Sequence, residues 1–551
     1  MSIPPSVTRH ACAALFLLAV VLSQARLVEA TNFFGFDEWT VLSLLSRGVI
    51  DIPYANRPLG LLWALPVTWI APHSFLGFAI LYWFYLWLTG LLVYWLALRV
   101  APRRPLLAVL AGVFAVVWAP SDLARLSTVE RALYIGITFG MLLAMVCYVE
   151  SWLRRSVPLL ALSLLLCVVS GRCYEATLPV LMVTPLLLFA VPGESTRALR
   201  QWILVFECFV LLSMLLALQS FLAPTGDFTY QAAIKLDPRP AAVLTRLALQ
   251  YRLHFAPLFN VVPTELLTSG VAVAVVVFLG VCVLWLWRAP TESAEKQDLR
   301  ILGLSGVLLV GAGYGALLLT ARGPDAWRMQ FLSSPGAALL LAGVAVGIGG
   351  RMRRFAPAVA VALGAWVVAV GTGRTQAMQQ RWETLSFYPR QMRMLSALVA
   401  EVPDVEPGTL LLLIDNGKAW RANFGFHHAV EYLYRGHAVG LAWGVWTGMF
   451  PAFFGPEGMA SEPWPTVRRA WGARATFHRY DQIIVLRHTQ SGAVQVLDDW
   501  PAALPPLPPG TVYRPRAQLV PIREELSERE ILAQAAGRPS RKARLDQSER
   551  R

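Results

Sequence analysis

The feature that most constrains this chain is a succession of long apolar segments along its first 370 residues. A membrane-spanning helix needs about 20 largely apolar residues. Only 15% of the 551 residues are charged, too few for a soluble protein of this hydrophobicity. We therefore predict a polytopic α-helical membrane protein with about eleven transmembrane helices, at Ala11–Leu27, Phe75–Leu98, Leu106–Trp118, Ala132–Val149, Val157–Val169, Leu178–Val191, Trp202–Leu222, Val271–Trp287, Ile301–Leu319, Pro335–Ile348 and Phe355–Val370.

Arginines gather in alternate connectors between these segments, and this pattern predicts the orientation. By the positive-inside rule, the connectors around Arg103, Arg154, Arg200, Arg300 and Arg353 are cytoplasmic. With eleven spans, the N-terminus is then cytoplasmic and the C-terminal domain periplasmic, in the inner membrane of a bacterium. Alternatively, the first segment is a signal peptide cleaved after residues 28–30, which leaves the following residues on the same outer side.

The net charge of +14 does not indicate a nucleic-acid-binding protein, because the basic residues lie mostly as pairs between apolar segments. The six cysteines lie in or beside those segments, and none follows Cys282. The C-terminal part of the chain therefore has neither a disulfide framework nor a thiolate zinc site.

Beyond residue 371 the composition changes, and we predict a small α+β periplasmic domain over residues 372–523. A buried strand at Leu410–Ile414 ends in an Asp-Asn-Gly turn, and Ile483–Leu486 with Val494–Leu497 form a hairpin. His428–Tyr434 is predicted to be helical. Residues 1–371 form the transmembrane domain, and residues 524–551 a charged, disordered tail.

The most informative segment follows the first apolar run and begins with the acidic pair Asp37-Glu38. Apolar residues at helical spacing up to Gly48 predict a helix on the membrane surface, with Gly48 as its C-cap. Taken alone, Asp37 is an N-cap and Glu38 a first-turn acid that complements the helix dipole. The apolar stretch Pro58–Ala71, interrupted by Pro66, is predicted to be interfacial or re-entrant.

These residues resemble the membrane glycosyltransferases of GT-C fold, most closely the branch of the aminoarabinose transferases and protein O-mannosyltransferases. The resemblance is carried by Asp37-Glu38 after the first span, by the interfacial helix, and by Asn56-Arg57-Pro58-Leu59 before an apolar run. It continues from Trp87 to Pro120, through two spans joined by a basic turn, and covers roughly the first 150 residues. Eleven spans are fewer than that branch tends to have.

The resemblance implies transfer of a sugar from a polyprenyl-phosphate carrier to a lipid, glycan or protein acceptor on the outer face. It further implies that Asp37 is the general base, that Glu38 orients the acceptor or helps to bind a cation, and that Arg57 contacts the donor phosphate. The cofactor is left open between none and a divalent cation. The expected partners are these substrates and membrane lipids, not nucleic acid.

The chemistry is consistent with these residue types. An inverting transfer needs one carboxylate to remove a proton from the incoming oxygen while phosphate leaves. Arginine suits phosphate because its guanidinium donates two parallel hydrogen bonds. However, only four of the 48 basic residues are lysines, so arginine is the default at any position.

Two further groups of charged residues lie in predicted outer connectors. Arg125, Glu130 and Arg131 are candidates for phosphate or acceptor binding, or are ordinary loop charges. Arg172, Tyr174 and Glu175 are candidates for contact with sugar hydroxyls, unless Arg172 and Glu175 simply pair at helical spacing.

In the C-terminal domain, His427, His428, Glu431 and His437 are spaced without a recognised zinc motif, which disfavours a metal site. Two other functions remain open. An O-antigen polymerase or ligase would use an arginine-rich outer loop and would not require Asp37. A transporter or flippase usually shows repeated halves and polar groups at mid-membrane, whereas the charges here lie at the outer ends of spans.

Overall fold

A computed structural model of the protein describes residues 5–25, 37–52, 57–189, 196–222, 236–288, 297–321, 330–445, 452–461 and 476–536. The helices of the apolar part are α1 Pro5–Ala25, α2 Asp37–Ser46, α3 Val67–Ile70, α4 Phe75–Val100, α5 Pro105–Val117, α6 Thr128–Arg154, α7 Val157–Cys173, α8 Leu178–Val183, α9 Thr196–Leu222, α10 Pro240–Phe255, α11 Pro263–Leu266, α12 Ser269–Arg288, α13 Gln297–Ala312, α14 Gly315–Leu318, α15 Ser334–Arg351 and α16 Ala356–Leu385.

Every one of the eleven predicted apolar segments overlaps a helical segment of the described chain. Seven helices, α1, α4, α6, α9, α12, α15 and α16, are long and apolar enough to cross a membrane by length and composition. Four further apolar helical segments are shorter: α5, α7, Glu175–Phe189, and the apolar part of α13. The polytopic helical architecture is therefore confirmed.

Within the helical part, α4 packs against both α5 and α6, and α15 packs against α5. The segment predicted to be interfacial or re-entrant forms short helical turns between Leu62 and Ile70, and its Trp63 lies on α6. Gly136 and Gly140 permit this approach, because a Cβ at Gly140 would lie 2.4 Å from the Trp63 ring. Small residues on a membrane helix commonly allow such close packing.

The C-terminal part contains α17 Tyr388–Glu401, α18 Asn423–Leu433 and α19 Glu530–Ala536, with β1 Asp404–Val405, β2 Thr409–Asp415, β3 Ala438–Trp443, β4 Ala452–Phe454, β5 Gly458–Ser461, β6 Thr476–Arg479, β7 Ile483–His488, β8 Val494–Val496 and β9 Leu519–Val520. Its main sheet has the order β3-β2-β7-β8. Two antiparallel sheets, β4-β5-β6 and β1-β9, accompany it.

The predicted buried strand, hairpin and helix correspond to β2, the β7–β8 pair and α18. The parallel pairing of β2 with both β3 and β7 is an addition to that prediction. It explains the unbroken run Leu410–Leu413, whose side chains are all buried, because a central parallel strand is covered on both faces.

The predicted domain limits differ from the folded elements at both ends. Helix α16 continues through residue 371 to Leu385 without interruption. The prediction that residues 524–551 form a disordered tail is wrong for residues 524–536, since α19 packs on α17 and buries Ile531. Residues 537–551 lie outside the described residues.

Candidate functional site

Helix α2, which begins with Asp37 and Glu38, is the predicted helix, and it is buried within the protein. All residues from Glu38 to Leu45 are buried, while Asp37 is partly exposed. The reason is that the helix is covered on one side by α6 and on another by α18 of the C-terminal domain. The predicted end of the helix is correct, because Gly48 has a φ of +72°.

Glu38 joins α2 to the beginning of α6. Its carboxylate accepts a hydrogen bond of 2.8 Å from the hydroxyl of Ser127, the N-cap residue of α6. Ser127 precedes Glu130 by three residues, a spacing typical of a capping box, yet its hydroxyl does not cap its own helix. The carboxylates of α2 and the first turn of α6 therefore lie together.

Arg57 and Glu175 form a matched ion pair between two loops. The Nε and Nη2 atoms of Arg57 donate to the two carboxylate oxygens of Glu175 at 2.9 and 2.8 Å. Burial alone would lower the pKa of Arg57, but the charge and hydrogen bonds of Glu175 outweigh it and raise the pKa. Arg57 is thus fixed as a cation whose charge is balanced within the protein.

The partner of Glu175 is therefore Arg57, whereas Arg172 was the alternative that helical spacing suggested. Arg172 contributes its main chain, since its carbonyl oxygen accepts a hydrogen bond of 3.4 Å from the Leu59 amide. The side chain of Tyr174 lies beneath Arg57, with the guanidinium carbon 4.2 Å from the ring centroid. Tyr174 is mostly buried against Tyr134 and Phe331.

Arg125 supports the end of helix α5. Its guanidinium donates to the carbonyl oxygens of Val116 and Val117, at 2.6 and 3.3 Å, and to the Tyr82 hydroxyl at 3.1 Å. The last carbonyl groups of a helix have no partner within that helix, so a cation placed there satisfies them. Arg125 consequently has a clear structural role at the edge of the site.

Arg131 is in a different situation from Arg57. It is 1% exposed, and none of its three guanidinium nitrogens has a hydrogen-bond partner among the described residues. Its guanidinium carbon lies over two aromatic rings, 5.0 Å from the centroid of Tyr82 and 5.8 Å from that of Trp83. Ring faces attract a cation but do not accept all of its hydrogen bonds.

A cavity adjoins Arg131 and brings several of these residues together. Its lining is largely apolar and aromatic, with a few polar groups: Tyr82, Leu86, Thr89, Ala115, Val116, Ala119, Asp122, Arg125, Arg131, Tyr134, Ile135, Thr138, Phe331, Ser334 and Pro335. Two guanidinium groups against one carboxylate make the lining cationic. This arrangement, apolar walls with a few converging polar groups, is typical of a small-molecule site.

The structure places Glu130 in the buried first turn of α6, next to Arg131. Asp37, Glu38, Glu130 and Arg131 therefore lie around the facing ends of α2 and α6. Arg57, Tyr174 and Glu175 form the second group, connected to the cavity through the Tyr174–Tyr134 ring contact. Arg125 lines the cavity, whereas Arg172 is not among the residues that line it.

Potential metal ligands also come together, but away from the acidic pair. In the described ranges, the ligand atoms of His427, His428 and Glu431 lie within 4.8 Å of one another. Glu431 already pairs with Arg47 at 2.9 Å, and it accepts a hydrogen bond of 2.6 Å from Ser43. A metal ion would have to share this carboxylate with Arg47. The residues thus fit an ion-pair cluster better than a metal site.

Comparison with known proteins gives no match to any family model and none to a curated protein. Three solved structures from Archaeoglobus fulgidus show a coarse similarity. One is the archaeal oligosaccharyltransferase AglB in complex with an inhibitory peptide and a dolichol-phosphate, at 14% identity and a TM-score of 0.40, over 78% of this chain and 64% of that one.

The second is the oligosaccharyltransferase in complex with Zn and sulfate, at 13% identity and a TM-score of 0.40, over 78% of this chain and 62% of that one. The third is the apo form of the oligosaccharyltransferase, at 14% identity and a TM-score of 0.39, over 79% of this chain and 64% of that one. The chain spans less than two thirds of the length of these structures. They do not distinguish the aminoarabinose and O-mannosyl branch. At these scores, no residue-by-residue correspondence follows.

Sequence reasoning did not find Tyr82, Tyr134 and Ser127 as contributors to the site, nor the contact of Glu431 with α2. Tyr82 and Tyr134 lie within apolar helices, where an aromatic residue is ordinary, so nothing marked them. Glu431 lies about 390 residues from its partners on α2. Ser127 had a signal, since Ser127-x-x-Glu130 marks a helix start, but that signal does not predict a contact with Glu38.

Proposed function

We propose that this protein is a membrane glycosyltransferase that moves a sugar from a polyprenyl-phosphate carrier to an acceptor on the periplasmic side of a bacterial inner membrane. The sequence resemblance supplies the class of reaction. The observation that carries the proposal is Arg131, a buried guanidinium without a hydrogen-bond partner in the described part of the chain, which lines a cavity and lies one turn of α6 after Ser127, the residue that bonds Glu38.

The energetics of Arg131 support a role in anion binding. Burial of a charge without a hydrogen-bonding counter-ion is costly and is seldom retained for stability. A phosphate group would satisfy the guanidinium with charge-assisted hydrogen bonds, which are about twice as strong as neutral ones. We therefore assign the phosphate of the lipid carrier to Arg131, with Arg125 adding positive charge.

This assignment moves the phosphate contact away from Arg57. The edge of the Arg57 guanidinium formed by Nε and Nη2 is already occupied by Glu175, at 2.9 and 2.8 Å, and this carboxylate balances the charge of Arg57. Arg57, with Tyr174 and Glu175, is then a support that fixes the loop after α2 and the aromatic wall of the cavity. Tyr134, which lines the cavity, is placed to contact the sugar.

The proposed reaction is a displacement at the anomeric carbon. The Asp37 carboxylate takes the proton of the acceptor hydroxyl, and the acceptor oxygen forms the new bond to the anomeric carbon. The bond from that carbon to the phosphate oxygen breaks, and the leaving polyprenyl phosphate carries the electron pair toward Arg131. Glu38, held by Ser127, keeps the acidic end of α2 against α6.

The test compares envelope glycolipids, glycans and glycoproteins by mass spectrometry in a deletion strain complemented with variants. Wild type and Asp498→Asn, a control at an exposed aspartate of the C-terminal domain, should restore a sugar mass that the deletion lacks. Asp37→Asn should leave it absent although the protein is present in the membrane. The missing mass would identify the sugar and the class of acceptor.

Two outcomes contradict the proposal. If Asp37→Asn restores every product, Asp37 is not the base and a polymerase or ligase is favoured. If the deletion changes no sugar but alters the transport of a lipid-linked precursor, the protein is a transporter or flippase.

A further inference from the structure

Helix α2 is held from the side of the C-terminal domain by residues at regular helical spacing. Trp39, Ser43 and Arg47 are four residues apart, so they lie on one face of the helix and its C-terminal continuation. The Trp39 indole donates to Gln391 at 3.2 Å and contacts the rings of Trp420 and Tyr432. The face therefore meets α17, α18 and the loop that joins β2 to α18.

Glu431 is the centre of the polar part of this contact. One of its carboxylate oxygens accepts from Ser43 at 2.6 Å and lies 3.2 Å from Nδ1 of His428, and the other pairs with Arg47 at 2.9 Å. Burial alone would raise the pKa of Glu431, but the hydrogen bond from His428 and the charges of His428, His427 and Arg47 lower it. The carboxylate is therefore ionised at neutral pH.

We propose that Glu431 is a positioning residue, through which the C-terminal domain fixes the rotation and depth of α2 and thereby places Asp37 and Glu38 against α6. The inference concerns the geometry of α2, and its consequence for catalysis rests on the proposed function. Two bonds from one carboxylate, to residues one helical turn apart, define the rotation of a helix in a way that apolar contacts alone do not.

Contacts on two different sides of α2 make the effect directional. Glu38, which bonds Ser127 of the membrane domain, is adjacent in sequence to Trp39, which bonds the C-terminal domain. A rotation of α2 released by the loss of Glu431 would move Glu38 relative to Ser127. The same rotation would move Asp37 relative to the cavity.

The experiment measures hydrogen exchange in the full-length protein in lipid nanodiscs, for the peptide that covers Asp37–Ser46. In Glu431→Gln we expect exchange of the α2 amides to increase at least tenfold, with α4 and α5 unchanged. Glu528→Gln is the matched control, because Glu528 is also buried and is paired with an arginine of its own domain, Arg435, and not with one beside α2. It should leave α2 as in wild type.

A second variant distinguishes the loss of α2 positioning from misfolding of the C-terminal domain. Arg47→Gln removes the partner on the side of α2, where the side chain is 42% exposed, and should increase the same exchange. The double variant Arg47→Gln/Glu431→Gln should add little to Glu431→Gln alone. Unchanged α2 exchange in both single variants would overturn the proposal, and so would increased exchange throughout the C-terminal domain.

Two further arms complete the test. A chelator added to wild type should have no effect on α2, and an increase in exchange would show that a metal ion at His427, His428 and Glu431 holds the contact instead. Product formation in cells should fall about tenfold in Glu431→Gln and not in Glu528→Gln. If the deletion strain lacks no sugar, the transferase proposal fails, while the exchange data still test the role of Glu431.

Discussion

Arg57 and Arg131 lie in the same region of the protein, but their surroundings differ: Arg131 is buried, whereas the side chain of Arg57 is 18% exposed. Arg57 donates two hydrogen bonds, from Nε and Nη2, to the carboxylate of Glu175 and lies over Tyr174. Arg131 lies over Tyr82 and Trp83 and has no hydrogen-bond acceptor in the described structure. The first arrangement is complete without a ligand, whereas the second lacks an anion. Burial of a charge therefore points to function only after its partners have been identified.

The largest effect that would test this comparison is the loss of the Arg131 charge. Arg131→Gln should lower product formation by a factor on the order of 10² to 10³, as is typical for the removal of one group that stabilises developing charge. The variant should fold as stably as wild type, because it removes a charge with no counter-ion. Product mass and the thermal midpoint of the purified protein measure the two effects.

Arg154→Gln, at the other end of α6 and 60% exposed, is the control and should retain product formation. A large drop in the thermal midpoint of Arg131→Gln would mean that the arginine is structural, and the contrast with Arg57 would disappear.

The second test breaks the Arg57 pair from the acidic side. Glu175→Gln leaves a buried guanidinium without its counter-ion and should lower the free energy of unfolding by about 3 kcal/mol. The double variant Arg57→Met/Glu175→Leu removes both charges and should regain most of that loss. Thermal unfolding in detergent measures both. Equal losses in the single and double variants would show that the pair adds nothing beyond packing.

The smallest effect concerns ligand binding to the two arginines. A polyprenyl phosphate at a hundredfold excess over its Kd should stabilise wild type by about 2.7 kcal/mol. The Arg57→Met/Glu175→Leu variant should show the same increase and Arg131→Gln almost none. The thermal midpoint with and without lipid measures this, with the same lipid lacking phosphate as a control. If polyprenyl phosphate failed to stabilise only the Arg57→Met/Glu175→Leu variant, Arg57 and not Arg131 would be the residue that binds the phosphate.

The sequence allows good prediction of the elements and poor prediction of their mutual contacts. An apolar segment and a glycine that ends a helix are both recognised from residues close together in the sequence. The helices, and the end of α2 at Gly48, could therefore be predicted. The burial of α2 depends on α18, which lies almost 390 residues later, and no local pattern encodes it. The parallel pairing of β2 is non-local in the same way.

The candidate site follows the same division. The acidic pair and Arg131 could be selected from the sequence, because a charge beside an apolar run is conspicuous. Which arginine has a counter-ion could not be predicted, since helical spacing favoured Arg172 for Glu175 and the structure joins Glu175 to Arg57. Which residues form an ion pair depends on how the loops lie in space. In this chain, the three-dimensional structure was needed to distinguish Arg57, which has a counter-ion, from Arg131, which is proposed to bind the phosphate.

The contacts of α2 also set an order of events during synthesis. Asp37 and Glu38 leave the ribosome early, but the residues that cover their helix, Gln391 and Glu431, follow more than 350 residues later. Contacts between such distant parts of a chain form late in folding. The acidic end of α2 is therefore assembled only when the C-terminal domain has folded, and a nascent or truncated chain contains all the proposed catalytic residues without a finished site.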